Sequence, residues 1–217
     1  MTIATVTELI CNGCKSQLNG LVTDSVFVCD SCGQVVQIEK GKVQNFKLSY
    51  MQGKTEHQGR LLYLPFWMIP VETKMVDSDD NRLDLSMMNI PGVVYISAFY
   101  ETNTNYLGNP GRDLTDIESV FELKNWTSES GKITGGARSL NNALKYARLM
   151  IIDIIDRKHD VTDSLITITP GVPKYVASPF VFDAEKFSIT STITGKTYSA
   201  SIVESIHQIL SEHKLTT

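Results

Sequence analysis

The alternation of apolar and polar residues predicts two amphipathic helices in the second half of the chain. The stronger pattern covers residues 139–157, where apolar side chains recur at spacings of three and four. Ser139 is a suitable N-cap for this helix, and Arg157 suits the negative end of its dipole. A later helix is predicted from the spacing of Ile202, Ile206, Ile209 and Leu210.

Runs of β-prone residues between turn signals predict strands and hairpins. Residues 61–75 and 82–87 flank the polar turn 77–81, which is typical of a β-hairpin. Residues 187–194 and 197–199 predict a second hairpin. Single strands are predicted at residues 92–100 and 165–169, and a loop rich in Gly, Asn and Pro is predicted at residues 103–112.

The pattern changes along the chain and predicts three segments. Residues 1–42 read as short strands around two tight turns, with little apolar material for a core. The mostly polar residues 43–60 are predicted to be a linker or an edge segment. Residues 61–217 are predicted to form a mixed domain of mostly antiparallel strands with two main helices, so the fold class is α+β.

Composition is that of an ordinary folded protein. Of the 217 residues, 42% are hydrophobic and 20% are charged, close to globular averages. The net charge of -4 argues against a protein that coats nucleic acid or anionic lipid through a general positive field. The first residues lack the basic and apolar stretches of a secretory signal, and no apolar run approaches the ~20 residues of a spanning helix. We therefore expect a soluble, cytoplasmic protein without a transmembrane segment.

The four cysteines predict a metal site. All of them lie in the first 32 residues, in two C-x-x-C pairs, whereas a disulfide framework would be spread through the chain. Four thiolates that converge on one ion complete a tetrahedron and leave no position for an activated water, so the ion is predicted to be one structural Zn²⁺. Iron in the same sulfur site is the alternative that the residues leave open. The predicted ligands are Cys11, Cys14, Cys29 and Cys32.

The motifs CNGC at residues 11–14 and CDSCG at residues 29–33 resemble those of the zinc-ribbon family. The β-prone residues VFV precede the second motif and VVQIE follow it, and the resemblance covers about residues 8–40. It implies β-hairpins that carry the two cysteine pairs, and a bound zinc. Zinc ribbons occur in transcription factors, ribosomal proteins, helicases and adaptor proteins, so the resemblance selects no single function.

Three functions are compatible with the sequence. We favour a non-catalytic adaptor or subunit of a larger protein assembly, because the metal site is closed and no catalytic motif is recognisable. The first alternative is a nucleic-acid or transcription-associated factor, although the charges of the first 48 residues cancel. The second is an enzyme of unfamiliar type with its site within residues 61–217. We assign no catalytic residue.

The densest apolar and aromatic stretch, residues 61–70, is a candidate interaction surface. Pro65 and Pro70 favour the edge of a sheet over its centre, because proline cannot donate to a strand ladder. Edge placement would leave Phe66 and Trp67 partly exposed as partner-binding residues. The alternative is a kinked strand in the core.

Overall fold

The computed structural model is a mixed α+β fold, and it describes residues 9–20, 23–53, 59–77, 79, 81–85, 88–99, 109–117, 121–127, 133, 135–203 and 206. The helices within these ranges are α1 (Pro110–Thr115) and α2 (Leu140–Asp156), with a short 3-10 helix at Ala200–Ile202. The strands are β1 (Val26–Val28), β2 (Gln34–Glu39), β3 (Lys42–Met51), β4 (Arg60–Val76), β5 (Val93–Ser97), β6 (Leu123–Asn125), β7 (Leu165–Pro170), β8 (Lys174–Asp183), β9 (Ser188–Ser191) and β10 (Thr197–Ser199).

Strand β4 lies at the centre of the structure and changes partners along its length. It pairs antiparallel with β8 through Arg60–Met68, with β5 through Phe66–Pro70 and with β7 through Val71–Val76. Alternate residues of β4 therefore enter two hydrophobic clusters on opposite faces of the sheet. One face carries Trp67 and is covered by α2, and the other carries Phe66.

The two prolines of β4 do not place it at an edge, which corrects the expectation from the sequence. The carbonyl of Pro65 accepts from the N-H of Ala98, and the carbonyl of Ala98 accepts from Arg138 at 2.9 Å instead of from a donor at position 65. The carbonyl of Pro70 accepts from Gly171, where the β7 ladder ends. Each proline thus lies where the strand needs no donor, so β4 can be central.

The prediction that Phe66 and Trp67 are partly exposed is wrong. Both side chains are 0% exposed, because β4 has strand neighbours on both sides and packed layers on both faces. The indole N-H of Trp67 donates to the Arg138 carbonyl at 2.9 Å. The ring of Phe66 stacks with that of Phe180, with centroids 6.3 Å apart. Neither residue is available to a partner.

Two other local predictions differ from the structure. The strand predicted at residues 82–87 is not formed by its described residues 82–85, and Arg82 makes only an isolated bridge to Val76. Of the predicted loop 103–112, residues 103–108 lie outside the described residues, and the remainder begins a helix instead: α1 starts at Pro110, with Asn109 as its N-cap. Pro at the first helical position and Asn before it are a helix-start signal that we read as loop chemistry.

Helix α2 and the hairpin β9–β10 confirm the corresponding predictions. Ser139 is the N-cap of α2, with its side chain accepting from Asn142 N-H, and Arg157 is the C-cap. Strand β10 pairs antiparallel with β9 through the predicted turn. Of the predicted last helix, Ile206 is described and buried, whereas most of it falls outside the described residues. No helix within the described ranges is long and apolar enough to cross a membrane.

The N-terminal strands continue into the main sheet. Strands β1, β2 and β3 pair antiparallel in order, and β3 then pairs parallel with β8 through Leu48–Tyr50. Val26 and Val35 belong to the same hydrophobic cluster as Trp67 and Tyr175. The predicted boundary at residue 42 therefore does not coincide with a boundary in the core, and residues 43–51 of the predicted linker or edge segment form strand.

Two side chains of β2 bind the first turn of α2. The Gln37 side chain, only 1% exposed, accepts from the Leu140 N-H at 2.6 Å. The Glu39 carboxylate accepts from Ser139 Oγ at 3.1 Å and from Asn141 Nδ2 at 2.7 Å. These contacts satisfy a donor of the helix start and place a negative charge at the positive end of its dipole.

We expect Gln37→Ala to lower the free energy of unfolding by about 1 kcal/mol, because it leaves the partly buried Leu140 N-H without the acceptor on Gln37. Urea unfolding followed by circular dichroism measures the effect. Gln44→Ala is the matched control, since it removes only the exposed amide to which Gln37 Nε2 donates. An equal loss in both variants would show that the contact with the helix contributes nothing.

Candidate metal centre

Two hairpin turns bring the four cysteine sulfurs together. All four Sγ atoms lie within 4.8 Å of one another. Cys11 Sγ is 3.6 Å from Cys32 Sγ, and Cys14 Sγ is 3.4 Å from Cys29 Sγ, so each close pair joins the two turns. A tetrahedral ion with metal-sulfur distances of about 2.3 Å requires sulfurs about 3.8 Å apart. The two close pairs are slightly shorter than that value, and the remaining sulfur-sulfur distances stay within 4.8 Å, so the residues fit a metal ion.

The two turns have the same backbone structure. Cys11 N-H donates to the Ser16 carbonyl at 2.9 Å, and Cys29 N-H donates to the Gln34 carbonyl at 2.8 Å. Lys15 N-H donates to the Cys11 carbonyl and Gly33 N-H to the Cys29 carbonyl, at 2.9 and 2.8 Å. Each turn therefore offers its two sulfurs from the same side.

Each turn also ends with a residue in the left-handed backbone region. The φ angle is 65° at Lys15 and 69° at Gly33, and these residues occupy equivalent positions. Glycine adopts this conformation without strain, whereas lysine does so at a cost. Gly13, inside the first turn, makes a close approach: a Cβ there would collide with Gln34 Oε1.

Hydrogen bonds and burial affect the individual thiols differently. The Ser16 side chain and backbone lower the pKa of Cys14 to about 6. Burial raises the pKa of Cys29, against the lowering effect of the backbone N-H groups of Cys32 and Ser31. Backbone N-H groups aimed at sulfur stabilise thiolates, which is the form that binds a metal.

The inner half of the site is buried in a small cluster of its own. Cys11 and Cys29 are 0% and 1% exposed, and they pack with Leu18, Phe27 and Val36. Cys14 and Cys32 are exposed. So few apolar side chains cannot stabilise the two cysteine turns alone. A bound ion would supply the stabilisation that this small cluster lacks.

Trp126 connects the metal centre to the main sheet. A Cβ placed on Gly33 would lie 3.4 Å from Trp126 Cδ1, so the indole covers the turn that follows Cys32. The same indole packs edge to face with Tyr50 and Tyr63, with ring centroids 5.9 and 5.1 Å away. Trp126 and Lys15 belong to the surroundings of the site, and neither was found from the sequence. A positive-φ residue could have been sought at Lys15, because it aligns with Gly33.

One carboxylate of helix α2, away from the cysteines, forms two ion pairs. Asp153 accepts from Arg112 Nη1 at 3.1 Å and from Arg157 Nη2 at 2.9 Å. The pair with Arg112 joins α1 to α2, the pair with Arg157 lies at the end of α2, and together they occupy Asp153. We therefore assign Asp153 a structural role.

Comparison with protein-family models, with curated proteins and with solved structures finds no match to this chain.

Replacing Lys15 with Gly should raise the free energy of unfolding of the metal-loaded protein by about 0.5 kcal/mol, because it relieves left-handed strain. Gly33→Ala should lower it by about 1 to 2 kcal/mol. Gly41→Ala is the matched control, since Gly41 has a φ of 74° with no atom within 4 Å of its Cβ position. A Gly33→Ala cost no larger than that of Gly41→Ala would contradict a role for the Trp126 contact.

Removal of the metal should change the fluorescence of Trp126. We expect chelation to shift its emission to longer wavelength as the turn beneath it loosens, while Trp67, 0% exposed, keeps its emission. Emission spectra before and after chelation, with metal content determined in parallel, test this. The Trp126→Phe variant should lose the response, and an unchanged wild-type spectrum after complete metal loss would refute the connection.

Proposed function

We propose that this chain is a zinc-binding, non-catalytic adaptor or subunit of a larger protein assembly, in which one structural Zn²⁺ holds residues 8–40 as a zinc ribbon. The observation that carries the proposal is the convergence of four cysteine sulfurs within 4.8 Å. Four sulfur ligands complete the coordination of a tetrahedral ion, so the ion stabilises the fold and has no position for a reacting water.

Zinc is the ion that this ligand set favours. Soft thiolates in a tetrahedral arrangement select zinc or iron, and hard cations such as magnesium prefer oxygen. The two C-x-x-C turns with identical backbone hydrogen bonds support zinc-ribbon geometry. Thiols that remain reduced and metal-bound suit a reducing compartment, in agreement with the expectation of a cytoplasmic location.

The outer surface of the two turns is the proposed contact region for a partner. Residues 12–15 and 30–32 are exposed, while Cys11 and Cys29 beneath them are buried. The ion would therefore fix the shape of an exposed double loop from its buried side. A rigid surface loses little conformational entropy on binding, which favours recognition by a protein.

The described residues give less support to an enzyme. A surface cavity of about 420 Å³ is lined by Thr73, Lys74, Arg82, Leu83, Asp84 and Leu85. No histidine or cysteine is among these lining residues, and Lys74 forms an ion pair with Glu72 at 2.9 Å. The lining therefore lacks the two side chains that most often serve as a general base or as a thiol nucleophile, so this cavity gives little support to an enzyme.

Metal analysis is the first test of the proposal. The purified chain should contain one zinc per polypeptide, and Cys14→Ser and Cys29→Ser should each lose it. Since Val26 and Val35 share the main core, we expect loss of the metal to lower the unfolding midpoint of the whole chain in one transition. Iron in place of zinc, or no metal in a folded protein, would refute the proposed cofactor.

The adaptor role is tested by capture of the tagged protein from its own host. We expect a partner to co-purify in fixed stoichiometry with the wild type and to be lost with Ser31→Arg, which changes an exposed side chain and keeps the backbone N-H beside Cys29. Ala184→Arg is the control, because it places the same charge in an exposed turn outside the metal centre. Zinc content must be unchanged in both variants. Absence of any stoichiometric partner would contradict the adaptor role.

A further inference from the structure

Among the described residues, strand β7 has one paired edge and one open edge. Its only strand partner is β4, and no other described residue pairs with it. Gly171 N-H donates to the Pro70 carbonyl, which sets the direction of the backbone groups. Backbone groups alternate in direction along a strand. The N-H and C=O groups of residues 165, 167 and 169 therefore point toward β4, and those of Ile166 and Ile168 point toward the open edge.

The open edge lacks the usual protection against pairing. Its sequence, LITITP, contains no charged residue, and Leu165 is 67% exposed. Natural edge strands are commonly protected by lysine, by inward-pointing charges or by a covering element. Pro170 limits the strand at one end only. An edge of β-branched residues with free donors and acceptors is suited to accept another strand.

We propose that the open edge of β7 pairs antiparallel with β7 of a second copy of this chain, about a two-fold axis that passes beside Thr167. The proposal does not rest on the metal centre. A two-fold axis perpendicular to a sheet requires one residue to face its own copy. With Thr167 at the axis, Ile166 lies opposite Ile168 of the second copy, and Ile168 lies opposite Ile166 of the second copy. Each of these two pairs exchanges two backbone hydrogen bonds.

The ends of the strand support this register. Ser164 N-H is already bonded to the Val161 carbonyl at 3.1 Å, and Pro170 has no N-H. Within the described part of the chain, the outward donors of β7 that have no partner are therefore Ile166 and Ile168, which are symmetric about Thr167. A shift of the axis by one residue would pair Ile168 with Ser164 or Ile166 with Pro170. Each of those pairs can form one hydrogen bond instead of two, because Ser164 N-H is engaged and Pro170 has no N-H.

Charge favours a second copy over an unrelated strand. Asp160 and Asp163 precede β7, and Lys174 follows it. Antiparallel pairing brings the acidic end of one strand to the basic end of the other, twice per dimer, whereas parallel pairing would place like charges together. The exposed face then pairs Leu165 with Thr169 of the second copy, which covers part of an exposed apolar side chain.

The first test is sedimentation of the wild-type protein over a range of concentrations. We expect the mass to rise from monomer toward dimer with concentration, because a short strand pair gives a weak, reversible interface. A constant monomer mass up to millimolar concentration would overturn the proposal and leave the edge open to a different extended chain.

The second test measures the register through cysteine cross-linking. Thr167→Cys places two thiols at a non-hydrogen-bonded pair, where Cα atoms about 4.5 Å apart permit a disulfide. Thr169→Cys is the matched control, since both residues are exposed on the same face of β7. In the proposed register the two thiols introduced by Thr169→Cys would be displaced by four residues, roughly 14 Å, too far to bridge.

After mild oxidation of the metal-loaded variants with diamide, non-reducing electrophoresis should show at least a tenfold larger dimer fraction for Thr167→Cys than for Thr169→Cys. The wild type measures the background from the four native cysteines. Equal cross-linking of the two variants, or preferential cross-linking of Thr169→Cys, would overturn the register. Circular dichroism of both variants confirms that the comparison is between folded proteins.

Discussion

The contact between β2 and the first turn of α2 is the interaction on which the arrangement of the chain depends. Gln37 accepts from the Leu140 N-H, and Glu39 accepts from Ser139 and Asn141. These two residues lie a few positions after Cys32, so the segment that carries the metal ligands also holds the start of the longest helix. The Gln37 bond is partly buried, and leaving its donor without an acceptor costs more than the bond contributes when formed, which makes the two parts interdependent.

The residues just before α2 extend this connection to the rest of the sheet. Gly136 exchanges backbone hydrogen bonds with Val26 of β1, and a Cβ at Gly136 would lie 2.8 Å from the Ala98 carbonyl. Arg138 donates to Ala98 and Ser97, and its carbonyl accepts from the Trp67 indole. Only glycine permits so close an approach to Ala98, and this short segment joins β1, β4 and β5.

Four sulfur ligands that leave no open coordination position suit an ion that stabilises the fold. The small cluster around Cys11 and Cys29 is too poor in apolar side chains to hold two turns without an ion. Trp126, which covers the second cysteine turn at Gly33, packs with Tyr50 and Tyr63 of the main sheet. An ion bound there would stabilise both the exposed turns and the strands behind them, which is the structural role proposed for the metal.

The sequence by itself determined the features that depend on local spacing. The cysteine pairs converge because each C-x-x-C turn offers its sulfurs from one side, and α2 and the hairpin β9–β10 follow from apolar period and turn residues. Tertiary structure decided the rest, because strand pairing joins residues far apart in the chain. Pro65 and Pro70 are compatible with a central strand only through Ala98, Arg138 and Gly171, which no local pattern reveals. The burial of Phe66 and Trp67, the junction of β3 with β8 and the cover of Gly33 by Trp126 have the same origin.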